Sequence, residues 1–229
     1  PYSWETIGSM ADLEAASLEE MQTWFKTYYG PNNAVLAVAG DVKAADVLKR
    51  VEHWFGNIPP GPPLVVQEEW IPQHATERRQ IIQDRVPQER IYIAWPGPRW
   101  GTTEAHELGL AANILANGKN SRLYERLVYR DQVATDVNMS AFFLEISGLL
   151  ILEVSVKPGI DIHEVEQAAR EEISNFLNKG PTANELLRVQ TLEKAAFIRG
   201  VERIGGFGGK SSVLAENMVY GGDPGLFQK

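Results

Sequence analysis

The sequence predicts an α+β fold, an antiparallel sheet with helices layered on one face. Three observations predict it. Val137, Met139, Ala141 and Phe143 alternate with Asp136, Asn138 and Ser140, while Leu150, Leu152, Val154 and Val156 form one face of a following segment. The two segments read as an antiparallel hairpin across Glu145-Ile146-Ser147-Gly148. Long helical patterns are grouped after that hairpin instead of alternating with strands. The 229 residues are 44% hydrophobic and 23% charged, a globular composition in a chain long enough to bury a core.

Ser17-Leu18-Glu19-Glu20 reads as a capping box, in which the Ser17 hydroxyl caps an amide and Glu20 reaches back. Leu18, Met21, Trp24, Phe25 and Tyr28 follow at helical spacing, and Gly30-Pro31-Asn32-Asn33 ends the helix. Residues 34–39 (AVLAVA) are short and wholly apolar, the pattern of a buried strand. Asp41 is placed to cap the next helix, which carries Val47, Leu48, Val51, Trp54 and Phe55 on one face. Trp24 and Trp54 therefore read as core. Residues 1–58 form a helix–strand–helix unit, whose lone strand needs partners expected upstream of Pro1. Gly56-Asn57-Ile58-Pro59-Pro60-Gly61-Pro62-Pro63 holds four prolines, so residues 59–75 read as a stiff linker.

Residues 76–229 read as a second domain. Strands are expected at 78–84 and 89–95, broken by Pro87 and closed by Pro96-Gly97-Pro98. A helix from about Thr103 turns Leu108, Ala111, Ala112 and Leu115 inward, is interrupted by Asn117-Gly118-Lys119-Asn120, and resumes over 121–130. After the hairpin, Asp161-x-x-Glu164 opens a helix over 161–178 and Thr182-x-x-Glu185 another over 182–203. Gly205-Gly206-Phe207-Gly208-Gly209 separates that helix from one starting at Lys210.

Composition removes several functions. With no cysteine there is no disulfide framework, thiolate zinc finger or cysteine nucleophile. A net charge of −8 and a pI of about 5.1 argue against a nucleic-acid partner, which needs a concentrated basic face. No apolar run approaches the ~18 residues of a membrane-spanning helix. The chain starts at Pro1 without Met and ends at Leu226-Phe227-Gln228-Lys229 without a turn signal, so it reads as a piece excised from a longer protein.

No complete catalytic site is legible in the residues. His106-Glu107 and His163-Glu164 each begin like the zinc-protease His-Glu-x-x-His, but Leu110 and Gln167 stand where the second His belongs. One His per helix falls short of the three or four ligands zinc needs. The glycine run before Lys210-Ser211 fails the phosphate-loop spacing, because Ile204 occupies the first glycine position. It reads instead as a hinge, a close helix crossing or a substrate-facing loop. Glu68-Glu69 and Glu171-Glu172 point apart and read as solvated faces, and there is no Gly-x-Ser-x-Gly elbow.

The stretch Ile7-Gly8, Leu18, Trp24-Phe25, Tyr28-Tyr29-Gly30-Pro31-Asn32-Asn33-Ala34-Val35-Leu36 and Gly40-Asp41 resembles the insulinase-like zinc metallopeptidases, a family that includes pitrilysin and the mitochondrial processing peptidases. Ser121-Arg122-Leu123-Tyr124-Glu125-Arg126-Leu127 resembles the Ser-Arg-Leu helix of that family's second domain. Gly205–Lys210 with Gly221-Gly222-Asp223-Pro224 resembles its large bacterial members. The resemblance implies a catalytic His-x-x-Glu-His with a distal Glu, two His and the distal Glu binding zinc and the inner Glu serving as general base. None of these is in the chain, and family order puts them upstream of Pro1. The resemblance also implies a substrate-holding Arg and Tyr seven positions apart, where Val128 and Thr135 stand here.

By this resemblance, residues 1–58 are the tail of the catalytic-type domain and residues 76–229 a non-catalytic domain of similar fold. The expected function is the non-catalytic portion of a zinc metalloendopeptidase, forming chamber wall and interdomain interface. The alternative is a catalytically inactive homologue that scaffolds a partner subunit. Substrate-facing or hinge candidates are Asn117, Gly118, Lys119, Asn120, Arg122, Gly205, Gly206, Phe207, Gly208 and Gly209. The expected cofactor is zinc in the parent enzyme, with none on this chain. Expected partners are the remaining domains or a homologous subunit and a peptide substrate, with no nucleic acid or membrane span. Bacterial relatives suggest a periplasmic or exported location.

Overall fold

A computed structural model describes residues 2–226. Pro1 and residues 227–229, which the sequence reading takes as excised ends, lie outside the described residues. The chain divides into two compact units, residues 68–196 and residues 2–67 with 197–226.

The unit of residues 68–196 holds a three-stranded antiparallel sheet in the order β1-β3-β2, built from β1 (Arg90–Gly97), β2 (Ala134–Phe143) and β3 (Gly148–Val156). The expected hairpin is present: Phe143 pairs with Gly148, and the register runs through Met139 opposite Leu152 to Ala134 opposite Val156. β1 pairs with the other side of β3, Ile91 opposite Val154 and Gly97 opposite Gly148. The helices are α4 (Thr103–Leu115), α5 (Ile162–Lys179) and the first part of α6 (Ala183–Glu202). One sheet face turns Ile91, Val137, Met139, Leu152, Val154 and Val156 into a core shared with Leu115, Leu123, Leu127, Val165, Ala169, Phe176 and Val189. Burying a Leu such as Leu152, fully enclosed here, stabilises by about 1.5–3 kcal/mol. At the hairpin end, two glycines face each other across the strands and the Phe143 ring lies over them. A Cβ on Gly97 would stand 2.8 Å from Phe143 Cε1, so the small residue is needed there.

Residues 121–130 depart from a regular α-helix. Tyr124–Arg130 form a π-helix, whose wider turn is seen in the Asp131 N–H donating to the Arg126 carbonyl at 2.8 Å. It ends at Arg130, and Gln132, two residues on, is the one non-glycine residue with a left-handed backbone among the described residues (φ 54°).

The second unit holds α1 (Met10–Ala15), α2 (Leu18–Tyr28), α3 (Ala44–Phe55), the end of α6 and α7 (Lys210–Gly221). The capping box is present: Ser17 Oγ accepts from the Glu20 N–H at 3.2 Å, and Glu20 Oε2 accepts from the Ser17 N–H at 2.8 Å. Asn32 brackets the proline-rich stretch like a strand partner: its Nδ2 donates to the Gly61 carbonyl at 3.2 Å and its Oδ1 accepts from the Gly61 N–H at 2.7 Å.

Residues 34–39 are extended and mostly exposed, with no ladder partner among the described residues, where the sequence predicts a buried strand paired with sequence outside this chain. Three expectations need correction. Residues 78–84 are unpaired as well, and their adjacent Ile81 and Ile82 are both exposed, which lacks the alternation of a half-buried strand. Lys43, not Asp41, is the N-cap residue of α3 and makes no side-chain cap bond. Trp24 and Trp54 are 58% and 72% exposed, not core, since α1, α2 and α3 bury no residue.

Candidate functional site

The candidates at 117–122 lie in the sheet-bearing unit and those at 205–209 in the other. Asn117 follows α4, and its half-buried carboxamide uses every donor and acceptor site it has. Nδ2 donates to Asn113 Oδ1 at 2.8 Å and to the Met139 carbonyl at 3.0 Å, while Oδ1 accepts from the Met139 N–H and from Asn138 Nδ2, each at 3.2 Å. Gly118 turns the chain at φ 86°, and its carbonyl accepts from the Ser121 N–H at 3.0 Å and Ser121 Oγ at 2.7 Å. Ser121 is fully buried, whereas Gly118, Lys119 and Asn120 are exposed.

Arg122 is an internal clamp. Its guanidinium forks onto Glu185, donates from Nη2 to the Gly180 carbonyl at 3.0 Å, and sits 5.1 Å from the centre of the Phe176 ring. Glu185 also closes the capping box of α6, accepting from the Thr182 N–H at 2.7 Å. The Arg122 guanidinium, with the Thr182 bonds behind it, holds the Glu185 carboxyl down to about 2. In the sequence, Thr182-x-x-Glu185 signals a helix start only. Its pairing with Arg122 spans the hairpin and α5, and no local pattern announces it.

Val128 packs against the core, and Thr135 Oγ1 lies 3.3 Å from Gln88 Oε1 and from the Ser155 carbonyl. The positions where the family resemblance implies Arg and Tyr thus hold an apolar contact and a strand hydroxyl.

In the other unit, Gly206 (φ 78°) and Gly208 (φ 75°) frame Phe207, which is 99% exposed. The loop is closed by Gly209 N–H to the Gly206 carbonyl at 3.0 Å and Lys210 N–H to the Arg203 carbonyl at 2.9 Å. Those amides are spent on backbone carbonyls, so they are not turned toward a phosphate.

The four histidines are exposed and scattered, His53 on α3, His74 in an irregular stretch, His106 on α4 and His163 on α5. Among the described residues no group of three or more His, Asp or Glu is placed to hold a metal, so the residues present do not fit zinc.

Against known proteins, the model of the peptidase M16 inactive domain matches residues 15–192, and the chain belongs to that family. It is thus a non-catalytic domain of the zinc-protease family, as the insulinase-like resemblance implies. It is 21% identical over 225 residues to the zinc protease PqqE of Helicobacter pylori, covering 96% of this chain and 51% of that protein. The chain spans about half the length of the bacterial curated relatives it matches. Its fold is that of the peptidase M16 inactive domain from Pseudomonas fluorescens, with a TM-score of 0.78 at 17% identity over 100% of this chain and 53% of that one. The periplasmic protease PqqL from Escherichia coli matches with a TM-score of 0.69 at 18% identity, over 95% of this chain and 25% of that one.

Proposed function

We propose that this chain is the non-catalytic portion of a zinc metalloendopeptidase that cleaves peptides in a closed chamber, where it forms wall and interdomain interface. The observation that carries the reading is the absence of any buried residue on α1, α2 and α3. Apolar side chains presented at helical spacing, such as Trp24, Phe25 and Phe55, are the faces a neighbouring domain would bury. Residues 1–58 are then the tail of the catalytic-type domain, 59–75 the linker and 76–229 the following domain. Gly118, Lys119, Asn120 and residues 205–208 are the exposed members of the candidate set and the ones that face peptide. Zinc belongs to the parent enzyme, upstream. PqqL, described as periplasmic, supports an exported location, and no described helix is long and apolar enough to cross a membrane.

The test pairs elemental zinc analysis with cleavage of a quenched fluorescent peptide, for this chain and for the whole protein. The chain alone should hold no zinc and cleave nothing, and the whole protein should do both, with chelator abolishing cleavage. Zinc near one per isolated chain overturns the assignment. A whole protein that folds, lacks zinc and cleaves nothing favours the scaffold reading instead.

A further inference from the structure

β2 lies at one margin of the sheet. In an antiparallel ladder the N–H and C=O of alternate residues point away from the partner strand, and an open row of them recruits another chain. At Met139 those two outward groups are occupied. The Asn117 carboxamide lies on them as the backbone of a neighbouring strand would, donating to the carbonyl at 3.0 Å and accepting from the N–H at 3.2 Å. It is held from behind: Asn113 Oδ1 accepts from Asn117 Nδ2 at 2.8 Å, and Asn113 Nδ2 donates to Glu193 Oε1 on α6 at 2.7 Å.

We infer that Asn117 is an edge guard, which keeps the β2 strand of one copy of this chain from pairing with the β2 strand of a second copy. The occupant it excludes follows from the strand's own sequence. Two β2 strands meeting antiparallel about Met139 set Asn138 opposite Ser140, Val137 opposite Ala141 and Asp136 opposite Phe142. No like charges face each other in that register. The arrangement is self-complementary, as a two-fold interface requires. The alternation that turns the N–H and C=O of Met139 outward does the same at Val137, which is buried, and at Ala141, which is exposed and is where the edge stands open.

The experiment is a sedimentation-velocity concentration series on the wild-type chain, Asn117→Ala, and Asn117→Ala combined with Ala141→Pro, with far-UV circular dichroism on each. Asn117→Ala should associate at a concentration at least tenfold below any self-association of the wild type, with Ala141 amide exchange slowing as concentration rises. Proline at 141 removes an outward donor without touching the β3 ladder, so the double variant should return to wild-type behaviour. A merely structural role would lower the melting temperature without concentration dependence. A folded Asn117→Ala that associates no more readily than wild type overturns the inference, as does association that survives Ala141→Pro. Should Asn117→Ala fail to fold, Asn117→Leu, which keeps the volume, is read by the same two criteria.

Discussion

Arg122 grips Glu185 through two parallel bonds, Nε to Oε1 at 2.6 Å and Nη2 to Oε2 at 2.7 Å, and so ties the start of the π-helical segment to the start of α6. Both side chains are largely withdrawn from water, 16% and 21% exposed, so removing one partner costs more than it would in a surface ion pair. Glu185 has its carboxyl lowered from 4.5 to about 2. A depressed carboxylate stabilises the fold fully above its unfolded value and loses that contribution as pH falls through the folded one. The window is therefore about pH 4.5 down to 2, and the contribution at neutral pH is on the order of 3 kcal/mol. Urea unfolding across that range should show a steep loss for wild type. Arg122→Ala should be less stable at pH 7 and show a shallower loss on acidification; equal slopes would remove the pair from the account.

Gln132 pays for its position with a left-handed backbone at φ 54°, a conformation that costs a side-chain-bearing residue about 1–2 kcal/mol. Glycine adopts it freely but loses more entropy on folding, about 0.5–1 kcal/mol. Gln132→Gly should therefore stabilise by about 0.5–1 kcal/mol and raise the melting temperature by about 2–3 °C. A lower melting temperature would show that the exposed Gln132 side chain makes a contact worth more than the strain.

What the sequence made legible divides along physical lines. The β2–β3 hairpin was readable because period-two alternation and a glycine turn are local signals, and Gly148 sits where the turn requires it. The apolar stripe of α2 was readable too, but its burial was not: Trp24 and Trp54 follow helical spacing whether or not anything covers them. The π-helix left no trace, since Leu123 and Leu127 are four apart as in any α-helix. Nor did Gln132, where the left-handed turn lacks a glycine. Of the candidate site, the turn at 117–120 and the glycine loop were legible as interruptions. The roles of Asn117 and Arg122 depend on partners at Met139 and Glu185, far along the chain.

The two units should differ in amide hydrogen exchange. Local opening is easiest where few apolar side chains are buried, and α2 and α3 bury none, while β3 has Leu152, Val154 and Val156 enclosed. In this chain, peptides from 18–28 and 44–55 should exchange orders of magnitude faster than those from 148–156. Added upstream sequence should slow the first group and leave the second unchanged. Equal protection of both groups in the chain alone would mean that the helices are already covered.

Phe207 gives a variant that separates folding from function. At 99% exposure it contributes almost nothing to burial, so Phe207→Ala should leave the melting temperature within about 0.5 kcal/mol equivalent of wild type. If the loop faces peptide, the same change in the whole protein should raise KM severalfold with kcat little altered, the signature of a lost binding contact. Unchanged KM and kcat would remove the loop from the substrate-facing set.

The paired glycines at the hairpin end predict a rescue pattern that distinguishes side-chain from backbone crowding. A Cβ on Gly97 meets the Phe143 ring, its nearest atom Cε1 at 2.8 Å, and the ring is the end of a movable side chain. A Cβ on Gly148 meets backbone as well, with the Phe142 carbonyl oxygen and Phe143 Cα each 2.8 Å away. Overpacking of this kind costs about 1–3 kcal/mol. Gly97→Ala and Gly148→Ala should both destabilise the sheet-bearing unit, and shortening Phe143 to Leu should recover most of the first loss and little of the second. Equal recovery in the two double variants, measured by urea unfolding, would mean that the hairpin backbone shifts enough to make room and that the ring alone sets the spacing.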